Sequence, residues 1–120
     1  MSFGDYFRKL RKSKDVTQKQ IAEVIGKTTM LVSGVETNKN NPFTSSDLNK
    51  IAKFLNLSND ERRELEKEAA KERGLLPAYM LTYFSNYDEA YQLLDVCVDK
   101  KIGRDSLQQI IKYAEELGNV

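Results

Sequence analysis

The chain has 120 residues, of which 40% are hydrophobic, and this is enough for one hydrophobic core but not for two large ones. It contains no histidine and one cysteine, which excludes a clustered zinc site, a disulfide framework and a nucleophile activated by histidine. The net charge is +1, but residues 1–56 carry ten basic and five acidic side chains, and residues 57–120 carry nine basic and thirteen acidic ones. Either the front half attracts a polyanion and the back half does not, or the difference is ordinary charge scatter.

An amphipathic helix is predicted at the start of the chain. Phe3, Phe7 and Leu10 follow one another at intervals of four and three residues, which places them on one face of a helix. Basic side chains surround this apolar stripe. We expect the helix to cover about residues 2–13.

Two short helices separated by a tight turn are predicted next. Thr17 and Gln20 have the spacing of a capping box, in which each side chain bonds to the backbone N–H of the other residue, and this opens the second helix. Gly26 ends that helix, because the left-handed conformation costs glycine nothing. Thr28 is the expected N-cap of the third helix, and Asn38 ends it.

The fourth and fifth helices are predicted from their caps. Either Ser45 or Ser46 is expected to cap the fourth helix, which carries apolar residues at helical spacing. Ser58 and Glu61 form a second capping box, which opens a strongly charged helix that Gly74 ends.

Three more helices are predicted in the C-terminal part. Pro77 suits the first turn of the sixth helix, Asn86 is expected to cap the seventh, and Gly103 begins the eighth. No segment keeps the alternation of apolar and polar residues that a strand requires, so the predicted fold class is all-α. We predict an N-terminal domain over residues 1–73 and a C-terminal helical segment over residues 74–120.

The second and third helices together have the pattern of a helix-turn-helix. Ala22 is small where two crossing helices come close, and Gly26 makes the turn between them. The positions that fill the wedge between these helices and the rest of the bundle are Ile21, Ile25, Val32 and Val35.

The amino-acid sequence of the helix-turn-helix and of the segment that follows it supports a more specific interpretation. It reads TQKQIAEVIG at residues 17–26, SGVE at residues 33–36 and NKNNP at residues 38–42. This resembles the XRE/Cro-like repressor family, in which TQxxIAxxxG is followed by a helix that ends in S-x-[IV]-E. The resemblance continues through LNKIAKFLNLS and covers about residues 3–73. It implies a bundle of the lambda-repressor-like type, whose third helix enters the major groove of DNA.

The resemblance also implies roles for individual residues. The candidates for base contact are Thr28, Thr29, Met30 and Ser33. The candidates for phosphate contact are Gln18, Lys27, Lys39 and Asn40. Glu36 corresponds to the family's structural glutamate. Gly34 stands where the family often has a base-reading residue, and we expect it to allow close approach to DNA.

The C-terminal part has more apolar and aromatic residues than three isolated helices need, and it is similar to the tails of phage and mobile-element repressors. Repressors of this family read two half-sites as dimers, so we expect this part to form a homodimer contact. The residues predicted to make it are Tyr79, Tyr83, Phe84, Tyr91, Leu94, Leu107, Ile110 and Ile111.

The leading interpretation is a cytoplasmic transcriptional repressor that binds a palindromic operator on double-stranded DNA as a homodimer. An inducer protein, a protease or a ligand would act on its C-terminal helices. The alternative is a protein-interaction module, in which the bundle is a scaffold for a toxin or for the transcription machinery, and the acidic, aromatic C-terminal half favours it. We expect no enzymatic activity, no metal or other cofactor, and no membrane partner, because no catalytic constellation and no apolar run of membrane-spanning length occurs.

Overall fold

The computed structural model describes residues 1–118, and its regular structure within that range is entirely helical. The helices are α1 (Phe3–Ser13), α2 (Gln18–Ile25), α3 (Thr29–Glu36), α4 (Ser45–Phe54), α5 (Asn59–Glu72), α6 (Ala78–Asn86), α7 (Asp88–Asp99) and α8 (Arg104–Gly118). The predicted all-α fold class is confirmed for this part of the chain.

The chain divides into two compact units. Unit 1 is Met1–Leu81, and unit 2 begins at Thr82. Unit 1 contains α1 to α5, which pack around one apolar cluster, with α3 against α1 and α2, and α4 against α2 and α5. The most completely buried side chains of this cluster are Phe7, Ile21, Val32, Ile51 and Leu65.

The helix-turn-helix forms as its local chemistry predicts. The Thr17 side chain accepts a hydrogen bond from the backbone N–H of Gln20, and the Gln20 side chain accepts one from the backbone N–H of Thr17. Gly26 ends α2 with φ 67°, in the left-handed region. Thr28 caps α3 by accepting a hydrogen bond from the N–H of Leu31. Asn38 follows α3 with φ 63° and turns the chain away from the helix axis.

Two predicted caps are wrong. Thr44, and not Ser45 or Ser46, caps α4, because the helix begins at Ser45 and the Thr44 hydroxyl is the group that accepts from the N–H of Asp47. Asn86 does not cap α7. It is the last residue of α6 and therefore does not take the extended conformation of an N-cap. The cap position belongs to Tyr87, whose side chain makes no capping bond within the described chain.

Unit 2 differs from unit 1 in how it uses apolar residues. As far as residue 118, none of the residues of α7, of α8 or of the part of α6 that lies in unit 2 is buried. Consecutive helices α7 and α8 do not pack against each other along their lengths. The aromatic contacts of this region are local, with the rings of Phe84 and Tyr91 4.9 Å apart and those of Tyr83 and Tyr87 5.1 Å apart. The apolar side chains therefore remain largely in solvent.

Candidate nucleic-acid interface

Helix α3 has one face in the core and one face in solvent. Val32 and Val35 are buried on the inner face. Met30, on the outer face, is 82% exposed, and Thr28 and Thr29 are also exposed. Ser33 is half-buried beside them. The four residues predicted to contact bases thus lie on the outer side and at the N-terminal end of α3. None of them belongs to the apolar core formed within residues 1–118.

A buried ion pair fixes α3 to α1. The Arg11 guanidinium donates to both carboxylate oxygens of Glu36, with Nε 2.7 Å from Oε2 and an Nη nitrogen 2.9 Å from Oε1. Arg11 also donates to the backbone carbonyl of Val16 at 2.8 Å. Glu36 is 4% exposed, so the pair is shielded from water and from salt. Glu36 therefore organises the fold, as the family resemblance implied.

Sequence reasoning missed the role of Arg11, which it grouped with the basic residues of the first helix. A signal was present, because Arg11 follows Phe7 by four residues and so continues the buried stripe of α1. A charged side chain on a buried stripe needs a partner of opposite charge.

The buried pair extends to one phosphate candidate. The Gln18 side-chain amide donates a hydrogen bond to Glu36 Oε1 at 3.1 Å, which orients Gln18 at the start of α2. An amide group has two N–H donors, so one remains for a second acceptor. The site at the N-terminus of α2 thus combines an oriented amide with the positive end of a helix dipole.

Lys27 lies in the turn between α2 and α3, and its side chain is already paired. Lys27 Nζ lies 2.5 Å from Oδ2 of Asp47, a buried residue in the first turn of α4. An ammonium group carries three donors, so a phosphate can approach the same nitrogen without displacing the carboxylate. The pair nevertheless reduces the net positive charge at this point of the surface. Asp47 was not recognised from the sequence.

Lys39 and Asn40 lie in the connection that follows α3, and both are exposed. Their backbone N–H groups donate to the carbonyl oxygen of Gly34, at 2.9 Å and 3.0 Å. The Asn40 side chain folds back onto α3, where its amide lies 3.4 Å from the carbonyl oxygen of Leu31. Both residues share one surface depression with the outer face of α3. Gly34, expected to admit DNA, is instead approached by the Asn40 side chain.

The predicted dimerisation residues fall in both units. Tyr79 belongs to unit 1, where the Arg63 guanidinium lies 4.3 Å from its ring centroid. The other seven lie in unit 2 on α6, α7 and α8, where Phe84 and Ile110 are half-buried and the rest are exposed. Tyr83, Phe84 and Leu94 line one surface depression, and the ring of Phe84 contacts that of Tyr91.

The fold and this surface define a helix-turn-helix protein. Residues 2–65, more than half of the chain, match a family described as a helix-turn-helix domain. The chain therefore belongs to this family, which confirms the resemblance predicted over about residues 3–73, and a domain of this kind indicates a DNA-binding regulator. No match was found among curated proteins or among solved structures. Among residues 1–118, no helix has the length and apolar content needed to cross a bilayer.

Proposed function

We propose that the protein is a transcriptional repressor that acts in the cytoplasm and binds a palindromic operator as a homodimer. The observation that carries the proposal is the two-sided construction of α3. Its inner face is held by the core and by the Arg11–Glu36 pair, and its outer face presents Thr28, Thr29 and Met30 to solvent. A rigidly held helix with a free outer face fits the major groove.

The side chains of the outer face favour a particular kind of readout. Threonine and methionine methyl groups match the methyl group of thymine, and the hydroxyls of Thr29 and Ser33 bond weakly to either type of base. Helix α3 contains no arginine, lysine, asparagine or glutamine, the residues that make paired hydrogen bonds to purines. Sequence-dependent DNA shape is therefore expected to supply part of the specificity.

Phosphate contacts are expected on both sides of α3. Gln18 is oriented at the N-terminus of α2, and Lys27 and Lys39 flank α3 on the two sides. These contacts would set the position of the helix on the duplex and make binding sensitive to salt.

Unit 2 supports the dimeric part of the proposal. Its exposed apolar side chains include Tyr91, Leu94 and Ile111, and aromatic and aliphatic side chains of this kind are buried at the centre of stable protein interfaces. A dimer would place two α3 helices on half-sites about 34 Å apart. An inducer that acts on unit 2 would then separate the two α3 helices of the dimer without contacting either of them.

The experiment that tests the proposal is a selection from random duplex DNA at low and moderate salt. We expect enrichment of a palindrome whose half-site centres are one helical turn apart. The double variant Thr29→Ala, Ser33→Ala should flatten the preference between operator variants, whereas Gln18→Ala should weaken binding to all sequences alike. Failure to enrich any sequence would overturn the operator proposal.

The same exposed surface supports a second candidate function, in which the helix-turn-helix is a scaffold and unit 2 binds another protein, such as a toxin or a subunit of the transcription machinery. Between Thr82 and Gly118 the chain carries seven acidic and four basic residues, which disfavours contact with nucleic acid there. Salt-insensitive binding of a protein, together with the absence of salt-sensitive binding to DNA, would favour this function over the first.

A further inference from the structure

The outer face of α3 has a gap in its row of side chains. Met30, Gly34 and Thr37 are separated by four and three residues, so they form one stripe along the exposed side of the helix and its end. Gly34, in the middle of this stripe, has no side chain. A helix that reads DNA would lose a contact at this position.

The side chain of Asn40 fills this gap. A Cβ atom built on Gly34 would overlap with Asn40 Nδ2 and lie 2.8 Å from Asn40 Cγ, which is far inside van der Waals contact. The carboxamide of Asn40 therefore occupies the space that a side chain at position 34 would take. It reaches the stripe from the connection after α3 rather than from the helix itself.

Several hydrogen bonds hold Asn40 against the helix. Its backbone N–H donates to the carbonyl oxygen of Gly34 at 3.0 Å, and the N–H of Lys39 donates to the same oxygen at 2.9 Å. Its side-chain amide points to the carbonyl oxygen of Leu31 at 3.4 Å, which is a weak contact that orients the group. The carboxamide thus has a defined direction before any ligand arrives.

The connection that carries Asn40 is anchored at both ends. At one end, Asn38 takes the left-handed conformation, accepts a hydrogen bond from the N–H of Gly4 and donates one to Ser2 Oγ. At the other end, the Arg73 guanidinium donates to the carbonyl oxygens of Pro42 and Phe43, at 2.6 Å and 2.8 Å. Because both ends are fixed to unit 1, little conformational entropy is lost when Asn40 binds.

The polar groups of Asn40 that remain free match one base edge. Asn40 is exposed, and within residues 1–118 no group donates a hydrogen bond to its Oδ1. An acceptor oxygen and an N–H donor on one planar group complement the N6 amino group and the N7 acceptor of adenine in the major groove. A phosphate offers only acceptors and would leave the oxygen unused.

We propose that Asn40 reads a base, with preference for adenine, in the place of a side chain at position 34 of α3. The Gly34–Asn40 pair then acts as one recognition position assembled from two segments. This inference rests on the DNA-binding function proposed above, and it departs from the phosphate role that the sequence predicted for Asn40.

The test uses the full chain with the operator from the selection and every single-base variant of one half-site. We compare the unsubstituted protein with Asn40→Ala and with Gly34→Ala, whose new methyl group displaces the carboxamide. Asn41→Ala is the matched control, because Asn41 is the next residue, is exposed and forms no hydrogen bond within the described chain. Circular dichroism melts establish that each variant folds.

We expect Asn40→Ala and Gly34→Ala each to lose base preference at one base pair of each half-site, by roughly tenfold. The base preference of Asn41→Ala should equal that of the unsubstituted protein. Uniform weakening across all base variants would overturn the inference and assign Asn40 to a phosphate, while leaving the operator function intact. Unchanged discrimination in Asn40→Ala would also overturn it. If the unsubstituted protein selects no operator, both the proposed function and this inference fail.

Discussion

The two units of the chain use apolar residues in opposite ways. In unit 1, Phe7, Ile21 and Ile51 have no contact with solvent. In unit 2, Tyr91 is 57% exposed and Val98 is 74% exposed. Each square ångström of apolar surface left in water forgoes about 25 cal/mol of stabilisation, so unit 1 is stabilised by its own core, whereas unit 2 gains much less from burial within the described chain. Unit 1 thus holds the residues that maintain the fold, and unit 2 holds the residues that we propose for association.

The largest expected effect is the loss of a core aromatic ring. Phe7 is fully buried, and its ring contacts those of Phe3 and Phe43 at centroid distances of 6.0 Å and 4.9 Å. We expect Phe7→Ala to lower the free energy of unfolding by about 4 kcal/mol, measured by urea denaturation. Met30→Ala, on the exposed face of α3, is the control and should change it by less than about 0.5 kcal/mol. Equal losses in the two variants would contradict the burial on which the comparison depends.

The next effect tests the buried ion pair of unit 1. Glu36→Gln preserves the shape of the side chain but leaves the charge of Arg11 without a carboxylate in a buried site. We expect unfolding free energy to fall by about 3 kcal/mol in urea denaturation. Glu23→Gln is the matched control, since Glu23 lies exposed on α2, and it should have little effect. A small effect of Glu36→Gln would show that water reaches this pair.

A smaller effect is expected in unit 2, and on association rather than on folding. Leu94 is 48% exposed, and Leu94→Asp places a charge on the apolar side of α7. We expect the dimer dissociation constant in sedimentation equilibrium to rise by roughly tenfold or more, because hot-spot residues contribute about 2 kcal/mol each. The unfolding of unit 1 should not change.

The control for this prediction is Gln92→Asp, which adds the same charge about 200° around α7 from Leu94. It should leave the dissociation constant unchanged. If the protein stays monomeric at every concentration, the apolar surface of unit 2 belongs to a different partner. If Leu94→Asp unfolds unit 1, the two regions are not independent and the comparison fails.

Local chemistry made much of unit 1 predictable. Thr17, Gln20 and Gly26 define the start and end of α2 through groups that lie within a few residues of one another, so their pattern is visible in the sequence. The same reasoning was wrong for Asn86. Whether a helix continues through a polar residue depends on the structure that surrounds it as well as on local propensity.

Contacts between distant residues were not predictable in the same way. Arg11 and Glu36 are 25 positions apart and meet only when α1 and α3 pack. The contact between Asn40 and Gly34 depends on the left-handed turn at Asn38 and on the anchoring of the connection by Arg73. Composition indicated an excess of apolar residues in the C-terminal part, but it did not reveal which of them come together, such as Tyr83, Phe84 and Leu94 around one depression.

The smallest effect that we predict concerns Tyr6, the half-buried tyrosine of unit 1, and it appears only at alkaline pH. Burial, and then the negative charges of Glu64, Glu68 and Glu61 around it, raise the pKa of Tyr6 from 10.0 to about 12. Between these two values the unfolded chain has lost the phenol proton and the folded chain has kept it. Unfolding therefore releases a proton, and the stability of unit 1 should fall as pH rises from about 10 to about 12.

Tyr6→Phe removes the phenol and should flatten this decline, as measured by urea denaturation at a series of pH values from about 9 to about 12. Tyr91→Phe is the matched control, because Tyr91 is an exposed tyrosine of unit 2, and it should leave the decline unchanged. The opposite outcome is a decline that persists in Tyr6→Phe and disappears in Tyr91→Phe. It would contradict the prediction, because an exposed residue of unit 2, and not the half-buried tyrosine of unit 1, would then be coupled to folding. A decline lost only in Tyr6→Phe would instead show that the protonation of Tyr6, whose pKa is raised by burial and then by the acidic side chains of α5, is linked to the stability of unit 1.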